Sequence, residues 1–233
     1  MGIIKFIFKT IFLLVFTFVA LSFLGVLVYS KLPVFVTPLM VIRAIEGNDD
    51  LGWRWKHEWV PLEKMSKYMP VAVMASEDQN FLKHKGFDVE AIKAAYKEAK
   101  AGGRVRGGST ISQQTAKNVF LWPESSWIRK GFETYFTFLI EKCWSKQRIM
   151  EVYLNSIEMG PGIYGVEAVA KEHFNQSAEG LRRRDCALIA ATLPNPIKYS
   201  SKHPSLYMLK RRHQIEVQMR HIDVLPLMED NAK

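Results

Sequence analysis

A chain of 233 residues has room for one ordinary domain and an appendage. Hydrophobic residues make up 48% and charged residues 24%, which predicts a packed core and excludes a disordered chain. Thirty-two Lys and Arg stand against 23 Asp and Glu, and the net charge of +9 requires an anionic partner: nucleic acid, a phospholipid surface or a phosphorylated substrate. Cys143 and Cys186 have neither metal-ligand spacing nor a disulfide framework, and their apolar neighbours make both small core residues.

Residues 10–30 carry no charge and are dominated by Ile, Phe, Leu and Val. At ~1.5 Å of rise per residue, a helix over this run matches the ~30 Å hydrocarbon core of a bilayer. Lys5 and Lys9 precede it, and Tyr29 and Lys31 sit at its far end. Positive charge stays inside, so residues 1–9 are expected in the cytoplasm and everything after Lys31 on the outer side. A cleaved signal peptide is the competing reading; its apolar core spans only ~7–15 residues, and this run is longer. Residues 31–59 read as an irregular membrane-proximal linker, punctuated by Pro33, Pro38, Gly47 and Gly52 and carrying Trp53, Trp55 and Trp59.

Residues 60–233 read as the folded domain. Prolines open two short helices, over 61–67 and 70–77. Asp88 caps an amphipathic helix with Val89, Ile92, Ala95, Tyr96 and Ala99 on one face, and Gly102-Gly103 stops it. A basic glycine-rich loop, 104–108, leads into Thr110 and Gln113, whose spacing predicts a capping box. On the helix that follows, Gln113, Gln114 and Lys117 share a face. The segment 119–123, with Trp127 and Ile128, is either core under a loop or a surface that dips into the bilayer. Further helices are expected from Lys146 to near Gly160-Pro161-Gly162, over 166–174, over 185–193, and over 205–221 with Lys210, Arg211, Arg212 and Arg220. No stretch alternates as a strand does. The expected fold class is mainly α.

One stretch carries the chemistry. Glu77 and Asp78 follow the apolar run 71–75, and an apolar neighbourhood raises the pKa of a carboxylate. A carboxylate so placed can act as an acid or base near neutral pH, although a helix simply ending in charges has the same appearance.

Five segments stand in order: Glu77-Asp78-x-x-Phe81-x-x-His84-x-Gly86; 107–118 with Gly-Gly-Ser-Thr-Ile-Ser-Gln-Gln-x-x-Lys-Asn; Arg129-Lys130-x-x-Glu133; the 149–155 helix; and Arg184-Asp185-x-Ala187-Leu188-Ile189-Ala190. The set closely resembles the peptidoglycan glycosyltransferases, glycosyltransferase family 51, and most of all the monofunctional, membrane-anchored biosynthetic peptidoglycan transglycosylases. The resemblance covers roughly residues 60 to 200. Ser112 stands where relatives often have Thr.

The resemblance implies a lysozyme-like helical head lobe, a smaller jaw that touches the bilayer, and a cleft between them. It implies polymerisation of lipid II on the outer face of the cytoplasmic membrane. Glu77 would be the base that takes the proton from the acceptor's 4-hydroxyl, and the donor's anomeric carbon would be attacked with inversion. Lys117, Arg129 and Lys130 would neutralise the departing pyrophosphate. Glu133 would be the second carboxylate, orienting those cations or aiding the leaving group through a divalent cation, Mg or Mn. Ser109, Gln113 and Asn118 would line the donor side, while Asp78, Phe81, His84 and Gly86 would be structural. The partners implied are lipid II, the growing glycan chain, the membrane, and proteins of cell-wall elongation or division.

No Ser-x-x-Lys occurs, so penicillin-binding transpeptidase chemistry is not expected. A lysozyme-like hydrolase is the alternative, but a neutral glycan does not require the Lys117, Arg129 and Lys130 cluster. An inactive scaffold would lack the carboxylates. Nucleic acid is excluded as the anion by an exported domain with no recognition motif.

Overall fold

The apolar N-terminal run forms α1 (Gly2–Tyr29), a helix of 28 residues. It starts before the uncharged stretch and carries Lys5 and Lys9 within it, because lysine is itself a good helix former. By length and composition α1 can cross a membrane, and almost none of it is covered by protein. A computed structural model describes residues 2–46, 55–100, 102 and 108–225, without the side chains of Tyr96 and Ala99. Gly47, Gly52, Trp53, Gly103, the basic part of the loop at 104–107, and the chain after 225 lie outside the described residues.

The C-terminal half of α1 docks on the domain. Ser22 Oγ lies 2.6 Å from the Tyr135 hydroxyl, and Phe18 packs edge-on to Phe132 at 5.5 Å. Trp144 Nε1 donates to Val26 O at 2.8 Å. Arg148 donates to Tyr29 O through Nε at 3.0 Å and Nη2 at 2.9 Å, so its cation sits on the negative end of α1. The expected linker is in part a helix, α2 (Pro38–Glu46), with Thr37 Oγ1 accepting from Met40 N–H at 3.2 Å. Leu39 and Met40 are buried. Trp55 and Trp59 pack on the domain.

A 3-10 turn (Leu62–Lys64) replaces the first expected proline-opened helix. The second is α3 (Tyr68–Glu77), with every residue from Met69 to Ala75 buried. A helix that is apolar all round belongs inside, and α3 packs against α9 (Arg183–Ala190) and α10 (Leu206–Gln218). Next is α4 (Val89–Lys100), capped by Asp88 Oδ1, which accepts from Ala91 N–H at 2.8 Å. On its apolar face Val89 and Ile92 are exposed. The helix is held at its capped end, where Asn80 Nδ2 also donates to Asp88 at 2.8 Å.

The helix α5 (Ile111–Phe120) lies between α6 (Trp127–Cys143) and α7 (Lys146–Ser156). Val119 and Leu121 are buried while Trp127 is 92% exposed, so the apolar segment divides into core and surface. A small sheet corrects the reading of no strands. Its strands are β1 (Lys56–His57), β2 (Glu158–Gly160) and β3 (Ile163–Tyr164), with β3 central, parallel to β1 and antiparallel to β2. Strands of two or three residues are too short to show alternation. Consequently α7 ends at Ser156, and Gly160-Pro161-Gly162 forms a hairpin turn rather than a helix stop. The sheet leads into α8 (Val166–Phe174) through Gly165 at φ +82°, where a Cβ would lie 2.6 Å from Asn155 O; only glycine fits. The architecture is mainly helical. Both thiols are free, and burial pushes the Cys186 thiol up to about 12.

Candidate active site

Because α3 is buried all round, its last turn emerges from the core at Ser76 and Glu77. Glu77 ends the helix half-buried. Ser76 Oγ donates to Oε1 at 2.9 Å and Gln114 Nε2 donates to Oε2 at 3.2 Å. Gln114 is itself oriented by the Tyr153 hydroxyl, which donates to its Oε1 at 3.1 Å. Burial raises the Glu77 pKa above the ordinary glutamate value, and the neighbouring Asp78 charge adds a little. The hydrogen bonds from Gln114 and Ser76 and the charge of Arg211 oppose that rise.

Asp78 turns the other way, into the protein. Its Oδ2 accepts from the backbone N–H of Ile111 at 2.9 Å, and both oxygens lie 3.0 Å from His84 Nε2. Gly86 N–H donates to His84 Nδ1 at 3.1 Å, so Nε2 is the nitrogen that carries the proton to Asp78. Gly86 has φ +91°, and a Cβ there would lie 2.9 Å from Thr137. Thr110 Oγ1 donates to Gly86 O at 2.6 Å while accepting from Gln113 N–H at 3.2 Å. Gln113 Oε1 accepts from Thr110 N–H at 3.0 Å, completing the capping box. The 78–86 loop is thereby tied to the start of α5 at two points. Phe81 is fully buried beneath it, with Lys146 Nζ 4.4 Å from its ring centroid. Ser112 Oγ donates to Glu141, which also accepts from Lys146 Nζ at 2.7 Å.

The cations come from α5 and α6. Glu133 is buried and accepts from Arg129 Nη1 at 2.9 Å and from Lys130 Nζ, one partner per oxygen. Burial pulls the Lys117 ammonium below its ordinary range. Glu133 opposes that shift, Arg129 and Lys130 reinforce it, and Glu77 opposes it more weakly. A desolvated ammonium among other cations favours an incoming anion. Asn118 is buried and its Nδ2 has no partner, and Arg129 Nε is likewise unpartnered. Among the described residues no group of three or more His, Cys, Asp or Glu is placed to hold a metal ion. Glu133, the buried carboxylate of this cluster, is already paired with both Arg129 and Lys130.

A cleft of about 1300 Å³ opens over Glu77, with Ser109 and Gln114 on one side and Lys210, Arg211 and His213 of α10 on the other. Arg211 Nη2 donates to Ser76 O at 3.5 Å. A smaller pocket of about 280 Å³, holding Lys117 and Asn118, shares Gln114 and Pro194 with the cleft. A carboxylate with a raised pKa beside a cation cluster and a basic wall suits displacement of an anionic leaving group by a hydroxyl.

The family model described as Transglycosylase matches residues 48–220. The chain belongs to this family. A biosynthetic peptidoglycan transglycosylase of Bacteroides thetaiotaomicron is 58% identical over 222 residues, covering 94% of this chain and 89% of the relative. Relatives of the same name from Caulobacter vibrioides and Aeromonas hydrophila are 51% and 44% identical. They cover 82% and 89% of this chain, and 81% and 93% of their own.

In this transglycosylase Glu77 and Ser109 meet at the cleft, Lys117 and Asn118 line the adjoining pocket, and Arg129, Lys130 and Glu133 lie within electrostatic reach of Lys117. Gln113 is taken up by the capping box, and Asp78, Phe81, His84 and Gly86 form the loop beneath. Sequence reasoning placed Gln114 on the right face but gave it no role, and it did not bring Tyr153, Lys210 or Arg211 to the site. For Arg211 the only signal was a run of basic residues.

Breaking the buried Asp78 and His84 pair should be costly. We expect Asp78→Ala to lose about 3 kcal/mol of unfolding free energy, measured by denaturant titration. A loss under about 0.5 kcal/mol would show that the loop is held by other contacts.

Proposed function

We propose that the chain is a peptidoglycan glycosyltransferase that polymerises lipid II into linear glycan strands by inverting transfer. The observation that carries this reading is Glu77 in the cleft, held by Ser76 and Gln114, with the Lys117 cluster on α5 and α6 alongside. Glu77, with its raised pKa, takes the proton from the 4-hydroxyl of acceptor lipid II as that oxygen attacks the anomeric carbon of the donor chain. The bond to the donor pyrophosphate breaks, and the leaving group carries away the electron pair. Lys117, Arg129 and Lys130 offset the charge that develops, in a site where water is scarce and each cation counts for more. Asn118 Nδ2 supplies a donor without a competing partner. Glu133 positions Arg129 and Lys130 and does not itself donate a proton, as its two hydrogen bonds suggest. Lys210, Arg211 and His213 give the acceptor's own phosphates a basic wall.

Asp78 and His84 act through the backbone, holding the loop so that Glu77 faces Gln114. The helix α1 is a single-pass anchor in the cytoplasmic membrane with its N-terminus inside, a reading supported by Lys5 and Lys9 at its start. The exposed Trp127 and Ile128 touch the outer leaflet beside it. Confining the enzyme to the surface that carries its lipid-linked substrate raises the effective concentration of both.

Glu77→Gln keeps the size of the side chain and removes the base. Lipid II polymerisation resolved on gels should fall by at least about a thousandfold while lipid II binding persists. Normal strand synthesis by that variant would overturn the assignment. Lys117→Ala should lower kcat/KM by about a hundredfold with little change in melting temperature. Unaltered kinetics would remove Lys117 from the site.

A further inference from the structure

The segment that joins the anchor to the domain is more than a tether. Two residues of α2, Leu39 and Arg43, line the pocket of about 280 Å³ together with Lys117 and Asn118. The helix is fixed there: Thr37 caps it, Leu39 and Met40 are buried, and it packs against α5. Leu39 and Arg43 are four residues apart and share one face, while Val41 and Ile45 share another and are exposed. Phe35 and Val36, just before the helix, are exposed as well. Thus α2 turns apolar side chains outward and an arginine toward the pocket.

The chemistry of the lining selects an anion. Arg43 has one ion-pair partner among the described residues, Glu46 at 3.9 Å, and both side chains are about half exposed. A pair so long and so wet holds the guanidinium weakly. Asn118 Nδ2 is a buried donor with no acceptor. The pocket's carboxyl group, Glu158, accepts from Gly162 N–H at 3.3 Å. Burial raises its pKa, while the Gly162 hydrogen bond and the nearby Arg43 charge work in the opposite direction.

We propose that Arg43 is a substrate-positioning residue, binding with Lys117 and Asn118 the phosphate-bearing end of the lipid-linked donor. The inference rests on the functional reading given above and extends it to a segment outside the motifs that carry the family resemblance. A donor held in this way keeps its polyprenyl tail in the bilayer, alongside the outward face of α2, and its phosphates against the inward face. Anchor, α2 and pocket then form one continuous path from lipid to catalytic cleft.

The test is lipid II polymerisation by the full chain in liposomes, with initial rates measured against lipid II concentration for wild type, Arg43→Ala and Arg43→Lys. For Arg43→Ala we expect KM to rise about tenfold and kcat to stay within about twofold, with no change in melting temperature. Arg43→Lys should recover most of the loss, and added undecaprenyl pyrophosphate should inhibit Arg43→Ala about tenfold more weakly than wild type. An active wild type with a KM insensitive to Arg43→Ala overturns this inference alone. A rise in KM that Arg43→Lys leaves unrelieved, or that comes with unchanged inhibition by undecaprenyl pyrophosphate, also overturns it. A wild type that does not polymerise lipid II overturns the functional reading, and this inference with it.

Discussion

The carboxylate of Asp78 is the constraint on which the site depends. It accepts at once from the backbone of Ile111, at the start of α5, and from His84, within its own loop. An acceptor buried to this degree must find donors or lose the free energy of a stripped charge, so the loop can close in few ways. Closing it brings the end of α3 against the first turns of α5. Glu77 then faces Gln114 because Asp78 faces Ile111. Two neighbouring carboxylates are thus separated by direction: one is spent on geometry, and the other is left facing a cleft.

The same packing creates the electrostatic imbalance that the chemistry uses. An all-apolar α3 removes solvent from behind Glu77, while Ser76 and Gln114 return part of the lost stabilisation. Lys117 is desolvated in turn by the packing of α5, and Arg129 and Lys130 are gathered by the buried Glu133. In the proposed reaction, a carboxylate reluctant to ionise and an ammonium reluctant to stay charged are both relieved when a hydroxyl proton moves to one and an anion settles by the other. On that proposal, binding and proton transfer draw on the same burial.

Signals confined to a few residues of sequence could be read directly. The capping box at Thr110 and Gln113, the Asp88 cap and the apolar run before Glu77 are of this kind, and the structure contains each of them. Contacts between distant residues left no local trace. Tyr153 reaches Gln114 and Arg211 reaches Ser76 only because helices far apart in sequence pack together. The small sheet was invisible because its strands are shorter than one period of alternation would need. As for α2, it passed for a linker because its nine residues are shorter than the stretch over which a helical period stands out, and prolines and glycines flank it. Motif residues and cation positions were legible, whereas the wall that α2 and α10 add to the site was not.

The central claim is that Glu77 works as a base whose pKa is raised by burial and restrained by Gln114. The pH dependence of kcat/KM for lipid II polymerisation, in wild type and Gln114→Ala, tests it most directly, because this ratio reports ionisations of the free enzyme. The base must be ionised to act, so activity falls on acidification through its folded-state pKa. That acid limb should have its midpoint above 4.5, the ordinary value for glutamate, and losing the Gln114 donor should move it higher still. A midpoint at or below 4.5, or a downward shift in Gln114→Ala, would contradict the account.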